Sequence, residues 1–171
     1  MLTPFVGYSY GRRYVGQVDC GGDRLAQLIN DDGSVMVHDA YVESFDDDTI
    51  SHLGDVTLDR AILYAIELDC RREEQARRAG SERRRIHVRL GPYSALGLLP
   101  ETAGQLPLPL FGSGGPMIRL SNATIGYTGA GVPQLRDVGS LIVNRELTDW
   151  VRACEDDASA FNGVPVVTDR T

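Results

Sequence analysis

The chain has 171 residues, 42% of them hydrophobic, and a formal net charge of −7 at pH 7. That length accommodates one medium domain or two small ones of roughly 80 residues, and the apolar content excludes a disordered polyelectrolyte. The acidic balance argues against general attraction to nucleic acid or an anionic membrane, and no segment reaches the ~18 apolar residues that a spanning helix needs.

In chain order, Val6, Tyr8 and Tyr10 alternate with period 2 and predict a first strand. Residues 14–18, "YVGQV", follow as a second strand. Gly16 suits a sharp bend in it, because a residue without Cβ lets a sheet coil tightly. "GGDRLAQLINDDG" then reads as a Gly- and Asp-rich loop whose few apolar residues tuck inward, with a short helix as a minor element. "VMVHDAYVES" (35–44) is the third strand. "ESFDDDT" (43–49) clusters carboxylates but lacks the regular ligand spacing and Gly turn of a calcium loop, so it reads as a solvated turn. "GDVTLDRAILYAI" (54–66) reads as strand, turn at Asp59 and Arg60, and strand.

Residues 67–85 alternate in charge and predict a short solvated helix or linker, which Gly80 and Ser81 would stop. Eight Arg and three Glu fall between Arg71 and Arg89. A solvated surface is the plain reading of that run. The functional reading is an electropositive patch for RNA or an acidic partner, with Arg83, Arg84 and Arg85 at its centre. No aromatic residues interleave with it, so it lacks the stacking platforms of a single-strand binder. All 17 basic residues are Arg, which points first to codon bias and not to selected anion recognition.

The same order of blocks then recurs. Ile86, Val88 and Leu90 alternate as another first strand, and "ALGLL" (95–99) places Gly97 over Gly16. "IRLSNATIGY" (118–127) sets Asn122-Ala123 over Asp39-Ala40. "GSLIVNRELTDWV" (139–151) aligns without gaps on residues 54–66. Three blocks in register predict a tandem duplication with a copy length of roughly 80 residues. "FGSGGP" (111–116) is a flexible loop and not a phosphate loop, because no Lys-Ser/Thr and helix follow.

Each copy thus has a glycine-bent second strand, a third strand ending in Asp-Ala or Asn-Ala, and a Gly-led strand, turn and strand. This resembles the Sm/LSm family of small β-barrels, whose first motif is apolar-x-apolar-x-Asp-Ala and whose second is Gly-x-apolar-x-Ile-Arg-Gly-Asn-x-apolar-x-x-Ile. The likeness covers about three-quarters of the chain and extends to bacterial proteins with one such barrel. It implies an all-β fold with a minor helix: two tandem, strongly bent, five-stranded barrels at residues 1–68 and 85–153. Residues 69–84 would link them and residues 154–171 would form a C-terminal extension.

The resemblance also implies candidate contacts for RNA or another ligand. Arg60 and Arg145 stand in the two second-motif turns, and Asp39 and Asn122 hold the first motif's acidic position. The sequence departs from the family elsewhere. Ser34 and Met117 replace the Asn before the third strand, and an acid flanks each turn Arg. The plain reading of Arg60 and Arg145 is that each ties down its turn.

His38, His52 and His87 read as isolated, and no Ser/His/Asp, Cys/His or paired-carboxylate arrangement stands out. Trp150 reads as packed core or interface. Cys20, Cys70 and Cys154 are odd in number and far apart, which suits free thiols in a reducing compartment and no metal site. The N-terminus has no charged leader, so a cytoplasmic location is expected.

The expectation for function is a non-enzymatic assembly or binding module that forms a homo-oligomer and presents a surface to a protein partner. An Sm-type RNA-binding riboregulator is the alternative. Capture of a small nucleotide-like ligand at barrel interfaces is a third. No cofactor or membrane association is expected. Family members pair the fourth strand of one barrel with the fifth of the next, and three chains would close a six-barrel ring. A competing expectation is that residues 164–167 add as a strand and cap one edge.

Overall fold

The computed structural model describes residues 2–20, 22–68, 83–100, 114–129 and 131–154. Most of the Arg/Glu linker, the loop before residue 114 and the segment 164–167 lie outside the described residues.

The elements are β1 (Leu2–Ser9), β2 (Arg12–Asp19), α1 (Gly22–Asp32), β3 (Ser34–Ser44), β4 (Ile50–Asp59) and β5 (Ala65–Leu68), then β6 (Arg83–Leu90), β7 (Tyr93–Pro100), β8 (Met117–Gly129), β9 (Val132–Asn144) and β10 (Trp150–Ala153). Short 3-10 turns, Arg60–Ile62 and Arg145–Leu147, precede β5 and β10. Among the described residues the architecture is all-β with one helix. Their ten antiparallel strands form a single sheet in the order β10-β6-β7-β8-β9-β5-β1-β2-β3-β4, which does not close on itself.

The strand pairing of β1 to β5 is repeated in β6 to β10. Phe5 faces Gly16 in the first hairpin as Ile86 faces Gly97 in the second, and the register slips at both glycines against the next strand. A Cβ on Gly16 would lie 2.6 Å from Val37 Cγ1, and one on Gly97 would lie 2.8 Å from Leu120 Cβ. The third strand therefore crosses too closely for any side chain at the bend. Val37 pairs with Val56 as Leu120 pairs with Leu141, and Val35 pairs with Leu58 as Ile118 pairs with Val143.

Each third strand then bulges at a residue with left-handed backbone, Asp39 (φ 48) or Asn122 (φ 46). The next residue, Ala40 or Ala123, pairs with a left-handed glycine, Gly54 (φ 72) or Gly139 (φ 67). Asp and Asn tolerate that conformation better than other side-chain-bearing residues. The Asp-Ala and Asn-Ala signals are thus requirements of backbone geometry.

Two cores lie along the sheet. Phe5, Val18, Leu25, Ile29, Val37, Leu58 and Leu63 centre the first, and Ile86, Val88, Leu90, Leu120, Ile125 and Leu141 centre the second. The segment read as a loop before β3 is mainly helix α1. Its buried Leu25 and Ile29 stand one turn apart, which puts both on the face toward the first core. Gly33, with φ +72, ends the helix and donates from its N–H to the Ile29 carbonyl at 3.0 Å.

Candidate functional site at the sheet edges

The two halves meet where β5 pairs with β9: Ala65 opposite Val143, Ile66 opposite Ile142, Glu67 opposite Leu141 and Leu68 opposite Ser140. Alternation along β9 divides its side chains between the cores. Leu141 and Val143 enter the second core, and Ile142 crosses into the first. Ala65 crosses the other way.

Asn144 closes the seam. It is wholly buried. Its Nδ2 donates to the carbonyls of Arg60 at 2.9 Å and Leu63 at 3.0 Å, and its N–H donates to the Tyr64 carbonyl at 2.9 Å. Its Oδ1 accepts from Glu146 N at 3.0 Å and so caps its own 3-10 turn. One amide thus uses a donor and an acceptor for two different halves, which only Asn does at this reach.

Polar and aromatic contacts extend the seam. Arg60 Nε lies 3.7 Å from Glu146 Oε2, and the Asn30 side chain exchanges two hydrogen bonds with the Met117 backbone. Phe45 stacks on Tyr127 at 4.5 Å, and the Tyr93 hydroxyl donates to the Ser9 carbonyl. Tyr8 donates to Glu67, whose carboxylate also lies 3.3 Å from Arg136 Nε. Burial, and then the Glu67 charge, push the Tyr8 phenol far above its ordinary range, so it stays protonated as a donor.

Among the described residues, the same two kinds of strand have no pairing strand on their outer sides at the ends of the sheet: β4, the counterpart of β9, and β10, the counterpart of β5. On β4 the positions of Ser140, Ile142 and Asn144 are held by Asp55, Thr57 and Asp59, all exposed. No Pro or Lys interrupts the strand, and Ile50 is 69% exposed on it. Asp59 Oδ1 accepts from Ala61 N at 2.7 Å, repeating the Asn144 cap.

On β10, Trp150 is 38% exposed with the Arg152 guanidinium 4.1 Å from its ring centre. His87 meets the same indole edge-on and hydrogen-bonds Ser94. Burial first, then Arg152 and Arg89, hold the His87 pKa below its ordinary value. One end of the sheet is therefore acidic along its outer row and the other carries an aromatic-arginine pair.

The expected ligand residues stand on several elements. Arg60 donates to the carbonyls of Ile29 at 3.4 Å and Asn30 at 3.2 Å, and so holds the end of α1. Arg145 donates to the Gly114 carbonyl at 3.1 Å. Each thus links its turn to the backbone of a segment distant in sequence. Asp39 and Asn122 sit on the β3 and β8 bulges, and Arg83, Arg84 and Arg85 open β6 with Arg84 exposed.

The histidines are not isolated, because strand pairing brings acids to two of them. His38 Nδ1 lies 3.0 Å from Asp55 Oδ2, and His52 Nε2 lies 2.8 Å from Asp39 Oδ1. The His38 contact holds the Asp55 carboxyl below its ordinary range. Among the described residues, no group of three or more His, Cys, Asp or Glu is placed to hold a metal ion, and no helix is long and apolar enough to cross a membrane.

An open cleft of about 480 Å³ is lined by Tyr10, Arg12, Tyr14, Asp46, Ile62 and Tyr64 among others. Sequence reasoning singled out neither Asn144 nor Asp59 as a contact residue. The only signal was their alignment as an amide and an acid at one position of the repeat. Comparison with known proteins finds no match: no family model, no curated protein and no solved structure is significantly similar to this chain.

Proposed function

We propose that the chain is a non-enzymatic assembly module of two Sm-like units, which builds a homo-oligomer by adding β10 of one chain to β4 of the next and presents the assembled surface to a partner. The observation that carries this reading is the β5–β9 seam. A fifth strand and a fourth strand already pair there within one chain, and among the described residues one strand of each kind is left over at the two ends. Unpaired strand edges expose rows of backbone donors and acceptors, and proteins that stay apart blunt them with Pro, Lys or a covering element. A single head-to-tail contact that repeats closes into a ring when its rotation allows. Three chains then give six units in the ring.

The register of the contact follows from the seam. Trp150 stands opposite Leu58, Val151 opposite Thr57, Arg152 opposite Val56 and Ala153 opposite Asp55. Asp55 on β4 and Arg152 on β10 supply complementary charge, which steers encounter and registers the edges. The RNA-binding reading is weaker, because Arg60 and Arg145 are engaged by backbone carbonyls of their own chain and the net charge is −7.

Multi-angle light scattering over a dilution series tests the proposal. The expected mass at high concentration is near three times 18.7 kDa. A mass of one chain at every concentration contradicts it, and the same measurement on a chain lacking residues 160–171 then shows whether that tail caps an edge.

A further inference from the structure

We infer that Asp59 sets the strength of the contact between chains by presenting an acid where the internal seam presents an amide. This rests on the head-to-tail reading above and identifies the residue that keeps that contact reversible.

Asp59 and Asn144 occupy one position of the repeat. Asp59 pairs with Ser34 at the end of β4 as Asn144 pairs with Met117 at the end of β9. Each accepts a hydrogen bond from the backbone N–H two residues on, at 2.7 Å and 3.0 Å. That cap engages one side-chain atom in both residues and leaves the second atom outside the cap. In Asn144 the second atom is Nδ2, which donates to Arg60 O and Leu63 O across the seam. In Asp59 it is a carboxylate oxygen, which has no proton to give.

The groups it would meet in the next chain are the carbonyls of Arg145 and Thr148. They stand in a turn closed like that of Arg60 and Leu63: Thr148 N donates to Arg145 O at 3.2 Å, as Leu63 N donates to Arg60 O at 3.1 Å. Two hydrogen bonds of the seam thus become two oxygen-oxygen approaches, made by a charge losing its water.

Two neighbouring exchanges act in the same direction. Ala61 stands where Glu146 faces Arg60 across the seam, so the contact between chains lacks that ion pair. Thr57 stands where Ile142 enters the neighbouring core. The occupant of the β4 edge remains a second copy of this chain, because among the described residues β10 repeats the partner strand of the seam and its Arg152 complements Asp55. The seam inside each chain is permanent by this arrangement, and the contact between chains responds to concentration.

Sedimentation of wild type, Asp59→Asn and Asp59→Ala over a dilution series at pH 7 provides the test. Asn keeps the cap acceptor and adds the missing donor. We expect Asp59→Asn to lower the half-assembly concentration by about tenfold or more, since two hydrogen bonds are restored, each acting several-fold on the equilibrium. Asp59→Ala removes the repulsion without adding donors and should lower it less. Assembly of wild type with no shift, or with a shift to higher concentration in Asp59→Asn, overturns the inference and leaves the head-to-tail reading standing. Chains that stay monomeric in all three forms overturn both.

Discussion

Asn144→Asp should destabilise the folded chain by about 3–5 kcal/mol at neutral pH, the range for stranding a buried charge without its partner. The side chain keeps its size, so packing changes little. The chemistry of the second atom changes completely. Nδ2 donates to Arg60 O and Leu63 O from a position with no exposed surface. A carboxylate there loses two hydrogen bonds and faces two carbonyl oxygens. Urea unfolding at pH 7 reads the loss directly, as a lower midpoint. The sign with pH is also fixed. The variant carboxyl is disfavoured as an anion, so its protonated form regains one donor, and the deficit relative to wild type narrows as pH falls. Asp59→Asn, at the equivalent exposed position, should change the stability of the isolated chain by less than about 0.5 kcal/mol. The contrast separates a residue that holds the chain together from one that acts between chains.

Trp150→Ala should raise the half-assembly concentration about 30-fold or more. A partly exposed Trp stacked by an Arg on the end strand of the described sheet has the composition of an interface anchor, and truncating such an anchor costs about 2 kcal/mol or more. Its counterpart Ala65 faces Val143 inside the seam and joins the second core. In the proposed contact Trp150 stands opposite Leu58 of the next chain, as Ala65 stands opposite Val143 in the seam. Light scattering of the variant over the same dilution series as wild type measures the shift. An unchanged half-assembly concentration would remove Trp150 from the contact.

The parts of the fold legible in the sequence were those where the backbone itself dictates a residue type. Gly16 and Gly97 are required by close approach at a bend. Gly54 and Gly139 are required by left-handed backbone, and Asp39 and Asn122 are among the few side chains that tolerate it. These fixed the repeat. Helix α1 was read as a loop because Gly and Asp at both its ends dominate the local composition, although Leu25 and Ile29 at helical spacing carried the contrary signal. The seam was less visible. Asn144 is held by carbonyl oxygens of Arg60 and Leu63, and every residue offers a carbonyl, so the partners leave no mark in the sequence. The histidine-acid contacts were hidden for another reason. His38 and Asp55 meet only through the register of β3 and β4, including the slip at the bulge. Arg60 and Arg145 stood out as charges, yet their work is on neighbouring backbone.

The pairing of β10 with β4 between chains is tested most directly by disulfide trapping at one register pair. Thr57 and Val151 stand opposite each other in the proposed contact, as Ile142 and Ile66 do in the seam. Opposed residues of antiparallel strands have Cα atoms about 4.5–5.5 Å apart, within the reach of a disulfide. Thr57→Cys and Val151→Cys are introduced together in a chain with Cys20, Cys70 and Cys154 changed to Ser, and the protein is oxidised gently and run on a denaturing non-reducing gel. The account predicts covalent species of two and three chains, with the three-chain circle as the end product, and little cross-linking in either single variant. Chains that remain uncross-linked in the double variant under conditions that oxidise free thiols would contradict it.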